Sequence, residues 1–188
     1  MVESNRTTRL LLATLALVAG CGGASSSPSS PSGPSSAATT SADAALFSRI
    51  TQADPLASYT NFPDAEEFTA GRLNGSEAHR PVIRVRLNAT ARAALSSGRL
   101  SAGTQFPDGS IVVKELRPSA TTEPTLYAVM VKDSGNPKAG NGWLWAEYGV
   151  TGSVTYSVDD GGRACTSCHL RERGPQNDLV RSFERQRP

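Results

Sequence analysis

Phe106-Pro107-Asp108-Gly109-Ser110-Ile111-Val112-Val113-Lys114-Glu115-Leu116 opens on a Pro-Asp-Gly turn signal and runs straight into a β-branched stretch. It predicts a strand over 111–116, and it sits among others of its kind. Upstream, Pro81 to Leu87 alternates apolar and basic residues, the pattern of a half-buried strand. Downstream, Leu126 to Val131 is bounded by Pro124 and by Asp133-Ser134-Gly135-Asn136-Pro137. Gly142 to Tyr148 is a fourth strand, and Val154 to Val158 is a short fifth or part of a loop. Helices are fewer. Asn88 can cap 89–95, with Gly98 as the stop; Ala44 to about Gln52 is a second, capped by Ser41 or Asp43. Asp178 to Gln186 is a third, with Leu179, Val180 and Phe183 on one side. Successive strands without long helices between them predict an α+β fold, an antiparallel sheet with a few packed helices.

Composition sets the outer limits. The chain has 188 residues, 38% of them apolar and 19% charged, which accommodates one core with some residues outside it. A net charge of +2 argues against a nucleic-acid binder, which needs a concentrated basic face. Three cysteines cannot form a fully paired disulfide framework, so either one is left over or the three do different jobs.

Cys21 closes an export signal. Arg6 and Arg9 precede the apolar run Leu10 to Val18, about half the roughly 20 residues a membrane-spanning helix needs. Val18-Ala19-Gly20-Cys21 resembles a bacterial lipobox, in which the cysteine takes lipid. From Gly22 to Ala42 the chain is almost wholly Gly, Ala, Ser, Thr and Pro, too poor in apolar surface to fold. The predicted organisation is a lipoprotein signal over 1–20, a lipid-anchored linker over 21–43 and a folded domain over 44–188. This places the domain on the periplasmic side of a membrane.

Cys165-Thr166-Ser167-Cys168-His169 is a C-x-x-C-H sequence. Two thiols at that spacing reach two haem vinyl groups, and the adjacent imidazole becomes an axial iron ligand. A zinc site would need two more ligands, and only His79 and carboxylates are available. A redox C-x-x-C belongs early, at a strand-to-helix junction, whereas this one lies near the C-terminus. The motif therefore predicts one covalently attached haem c. No Met or His follows His169, so residues before the motif must build the pocket.

Phe106 to Leu116, Val131-Lys132-Asp133, the C-x-x-C-H motif and Asn177-Asp178-Leu179-Val180, in that order, resemble cytochrome P-460. The Ala78-His79 to Asn88-Ala89 stretch resembles that family's first strand and helix start. The resemblance spans about Tyr59 to Phe183, and the same fold includes the cytochrome c′-beta proteins. It implies that Lys114 is bonded to the haem ring beside the two thioethers. Read by itself, Lys114 shares a strand face with Val112 and Leu116 and is equally an edge lysine whose head reaches water. The resemblance further implies a ligand site on the iron opposite His169, open to nitric oxide, another small nitrogen oxide or hydroxylamine, with an exported redox partner.

Met130 and His79 are the remaining candidates for that sixth position. Met130 is placed for core packing, and His79 for a turn or a haem propionate. Members that oxidise hydroxylamine carry a carboxylate near the open iron face, at a position aligned here with Ala128. Alanine cannot carry a proton, which implies binding without fast turnover unless Asp133 or Glu147 serves instead. The arginines from Arg163 onward, among them Arg171, Arg173, Arg181, Arg185 and Arg187, are solvated or pair with propionates or an acidic partner. Trp143, Trp145 and Tyr148 either line the pocket or pack the core. Proteins of this fold are often dimers, so a homodimer is left open.

Overall fold

The computed structural model describes residues 39–63, 67–70, 79, 81–171 and 177–182. The expected signal, Cys21 and most of the linker lie outside the described residues, as do Phe183, Arg173, Arg185 and Arg187. Within them is one antiparallel sheet. Its strands are β1 (Thr60–Asn61), β2 (Thr69–Ala70), β3 (Val82–Leu87), β4 (Ile111–Arg117), β5 (Leu126–Lys132), β6 (Trp143–Gly149) and β7 (Val154–Tyr156). Six lie in the order β1-β3-β4-β5-β6-β7, and β2 pairs with the far end of β3. The five strands expected from the sequence are all present, and β1 and β2 are additional pairs too short to carry a periodicity.

Both sheet faces are covered, which is why β4 is buried along almost its whole length, charged Glu115 and Arg117 included. One face packs Leu87, Val112, Met130 and Trp145 under α2 (Ala89–Ala93), with Ala91, Leu95, Phe106 and Val180 filling in. The other packs Val113, Val129, Val131, Ala146 and Tyr148 under α1 (Ser41–Ser48), through Leu46 and then Ile50. Asn88 caps α2 as expected: its side-chain oxygen accepts from Ala91 N–H at 3.0 Å, and also from Ile111 N–H at 2.9 Å. One side chain thereby ties the helix start to the opening of β4.

Two helices differ from expectation. Helix α1 begins at Ser41 rather than Ala44, because Thr40, its cap, forms a capping box with Asp43. Asp43, read from sequence as the linker's last residue, is fully buried. It accepts from Ser157 Oγ at 2.7 Å, Val158 N–H at 2.8 Å and Tyr148 OH at 3.4 Å. A five-residue π-helical stretch, Arg49–Ala53, then continues α1. The expected helix at 178–186 is not formed over its described part, where Asp178 and Leu179 have φ of +40° and +66°. The polar atoms there are engaged by the sheet, and tertiary contacts override the apolar spacing.

The basic residues of β3 were read as solvent-facing, but they are committed to a buried acid. Arg84 lies opposite Glu115 in register and holds it at 2.7 Å, while Arg117 reaches it at 2.9 Å. Burial alone would raise the Glu115 carboxyl; the two guanidiniums bring it below its ordinary range.

Candidate functional site

On the face under α2, register places Val85, Lys114, Ala128 and Glu147 side by side across β3, β4, β5 and β6. The next row along is Leu87, Val112, Met130 and Trp145. A bulge at Glu147 and Tyr148 then brings Tyr156 of β7 opposite Glu147. Bulges of this kind re-aim side chains beside a site.

The C-x-x-C-H motif lies on a helix not foreseen from the sequence, α3 (Arg163–His169). Gly161 and Gly162, with φ of +58° and +73°, turn the chain into it. Gly162 has a second constraint: a Cβ there would lie 2.2 Å from the Trp145 indole. With no side chain at 162, α3 settles on Trp145, whose ring meets His169 edge-on at 4.7 Å between centroids. Trp145 is itself fixed by donating Nε1–H to the Gly140 carbonyl at 2.8 Å.

Sheet and helix line a cavity that spans about 980 Å³ with the open solvent at its mouth included. Seven of the residues expected at the site from the sequence line it: His79, Lys114, Ala128, Met130, Cys165, Cys168 and His169. Trp145 lines it as well, whereas Trp143 and Tyr148 are core residues, on opposite faces of the sheet. Of the two acids weighed from sequence, Glu147 lines the cavity. Asp133 instead holds Asn136 in the loop after β5, at 2.9 Å. Tyr156 and Arg181 are additions. Arg181 had no signal to distinguish it from the other late arginines, and it is buried in the wall.

The electrostatics are those of a dry pocket. Burial, reinforced by Lys114, pushes His169 down to about 3, so the imidazole is neutral. Its Nδ1–H donates to the Leu179 carbonyl at 2.7 Å, which leaves Nε2 as the nitrogen with a free lone pair. Burial likewise pushes the Cys165 thiol up to about 12. That is opposite to the lowered pKa of a redox dithiol. Lys114 Nζ donates to His79 Nδ1 at 3.1 Å, and His79 Nε2–H donates to Glu147 Oε1 at 2.9 Å. Burial and then Lys114 hold His79 below its ordinary range. Both its ring nitrogens are occupied.

These residues fit a haem. Two thiols with no disulfide between them, one neutral imidazole with its ligating nitrogen free, apolar walls and a buried guanidinium suited to a propionate all face one cavity. A zinc site is less well served, since among the described residues no three of His, Cys, Asp and Glu gather to hold a metal ion. The family model described as Cytochrome P-460 matches residues 75–181, more than half the chain and all of the cavity's lining except Ser182. No curated protein matches the chain.

Proposed function

The chain belongs to the cytochrome P-460 family, which takes haem, and from that premise we propose a mono-haem c-type protein that binds nitric oxide or hydroxylamine at an open iron position. Haem, when bound, supplies an iron that takes small ligands and exchanges single electrons. The observation that carries the reading is the meeting of Cys165, Cys168, His169 and Lys114 in one apolar cavity. In it the two cysteines supply thioethers, and His169 offers Nε2 because its Nδ1 is held by Leu179. Lys114 supplies a third link, in which one N–C bond replaces an N–H and a ring C–H, a two-electron oxidant such as a peroxide taking up the two hydrogens. His79 has both ring nitrogens engaged, and Met130, which lines the cavity, sits within the apolar row of the sheet. Haem held by Cys165, Cys168 and His169 would supply an iron able to take a small external ligand.

The absorption spectrum of the purified ferrous protein with and without nitric oxide, taken together with its intact mass, tests this. The expected result is a five-coordinate, red-shifted spectrum that changes on adding nitric oxide. The expected mass is chain plus haem less two hydrogens. A six-coordinate spectrum that nitric oxide leaves unmoved overturns the reading.

A second reading, oxidation of hydroxylamine at the same site with electrons passed to an exported acceptor, is favoured by Glu147. Its carboxylate lies directly across the strand pair from Ala128 and is anchored by His79. It supplies the proton acceptor that alanine lacks.

Residues 1–43 support a tether. The basic start, the short apolar run and the small residues before Cys21 suit lipid attachment and export. Cys21→Ser is expected to move the protein from the membrane fraction to the soluble fraction; continued membrane association would exclude Cys21 as the anchor.

A further inference from the structure

Lys132 and Asp178 form the most deeply buried ion pair among the described residues, with side chains 2% and 3% exposed. Lys132 was expected just past the end of a strand, but it is the last residue of β5. Its Nζ donates to both Asp178 oxygens, at 3.0 and 2.9 Å, and lies 5.0 Å from the centre of the Trp143 ring. Asp178 also accepts from Phe106 N–H at 3.0 Å and from Trp143 Nε1–H at 3.4 Å. A buried carboxylate with its lone pairs so fully used is a fixed point in the structure.

What this fixed point holds is unusual backbone. Asp178 and Leu179 are consecutive non-glycine residues at positive φ, a conformation that persists only where the surroundings impose it. Leu179 is also the residue whose carbonyl receives the His169 Nδ1–H. We infer that Asp178 and Lys132 are positioning residues for His169: the ion pair clamps the 178–179 turn so that the Leu179 carbonyl faces Nδ1. The clamp thereby sets the tautomer and the donor strength of Nε2. A carbonyl partner on Nδ1 makes an imidazole a stronger ligand, so the clamp acts on the iron through one peptide group. This rests on His169 being the axial ligand.

The test uses the haem-loaded protein and reads the iron–histidine stretching frequency of the ferrous form and its reduction potential. Lys132→Met and Asp178→Ala are both expected to lower the frequency and raise the potential, because the slackened turn weakens the Nδ1–H bond. Asp178→Asn keeps an acceptor for Phe106 N–H and a residue type that tolerates positive φ, and is expected to stay closer to the native values. Asp43→Asn serves as the comparison: it is expected to lose stability from the far sheet face without moving either reading.

The inference is overturned if Lys132→Met lowers stability while frequency and potential stay native. That variant decides the matter by itself if Asp178→Ala does not fold. Absence of an iron–histidine band from the native protein would instead remove the axial assignment, and this inference with it.

Discussion

Asp43→Ala is expected to lower the unfolding free energy by about 3–5 kcal/mol, read as a shift of the urea midpoint at neutral pH. The carboxylate is fully buried and caps α1 through Thr40, while Ser157 and Val158 donate to it from 114 and 115 residues away. Truncation removes the Asp43 half of the capping box, which takes the Thr40 N–H, and leaves buried donors of the 157–158 turn unpaired. Burial pushes the Asp43 carboxyl up, but the hydrogen bonds from Val158, Ser157 and Thr40 outweigh it and hold the group below its ordinary range. The folded chain therefore gives up this proton more readily than the unfolded chain. The stability it contributes is complete above about pH 4 and is lost as pH falls through the lowered value. Asp43→Asn is expected to flatten that stretch of the acid-unfolding curve. A curve that keeps its native slope would show that the carboxylate titrates alike in both states.

Glu147→Gln is expected to slow hydroxylamine oxidation by about 10²-fold while leaving nitric oxide affinity unchanged. The amide still offers His79 a carbonyl oxygen, so the contact with Nε2–H is preserved and only the capacity to take a proton is removed. Steady-state reduction of an added electron acceptor by hydroxylamine measures the rate, and nitric oxide titration measures the affinity. Equal turnover in variant and native protein would remove Glu147 from proton transfer. Ala128 would then mark a site that binds without oxidising.

Much of this site is legible in the residues because short-range patterns encode it. C-x-x-C-H is a local motif, and alternation is enough to group Lys114 with Val112 and Leu116 along β4, and Ala128 with Met130 along β5. What stays hidden are properties of pairs far apart in the chain. Glu147 lies inside a strand and Asp133 just past one, and nothing in the sequence says which of them faces the pocket. Only the β5–β6 register, Ala128 opposite Glu147, separates them. Asp43 reads as a plausible cap and nothing more, since its partners lie beyond residue 147. The apolar spacing of Leu179 and Val180 suggests a helix, yet the Asp178 carboxylate gains more from Lys132, Phe106 and Trp143 than a helix start would offer. The helix carrying the haem motif goes unseen because its start is a pair of left-handed glycines rather than a capping side chain.

From β3 to β7 the order of strands across the sheet is their order along the chain. Neighbours pair with neighbours, and few large loops need closing for the sheet to appear, which favours rapid assembly. The long-distance polar ties are of another kind: Asp43 to Val158, His79 to Glu147 and Lys132 to Asp178 each join parts of the chain that the strand pairing does not bring together in sequence. Interactions made after the main barrier act on the lifetime of the folded state rather than on the speed of reaching it. The sheet governs how quickly the pocket forms, and the three ties govern how long it endures.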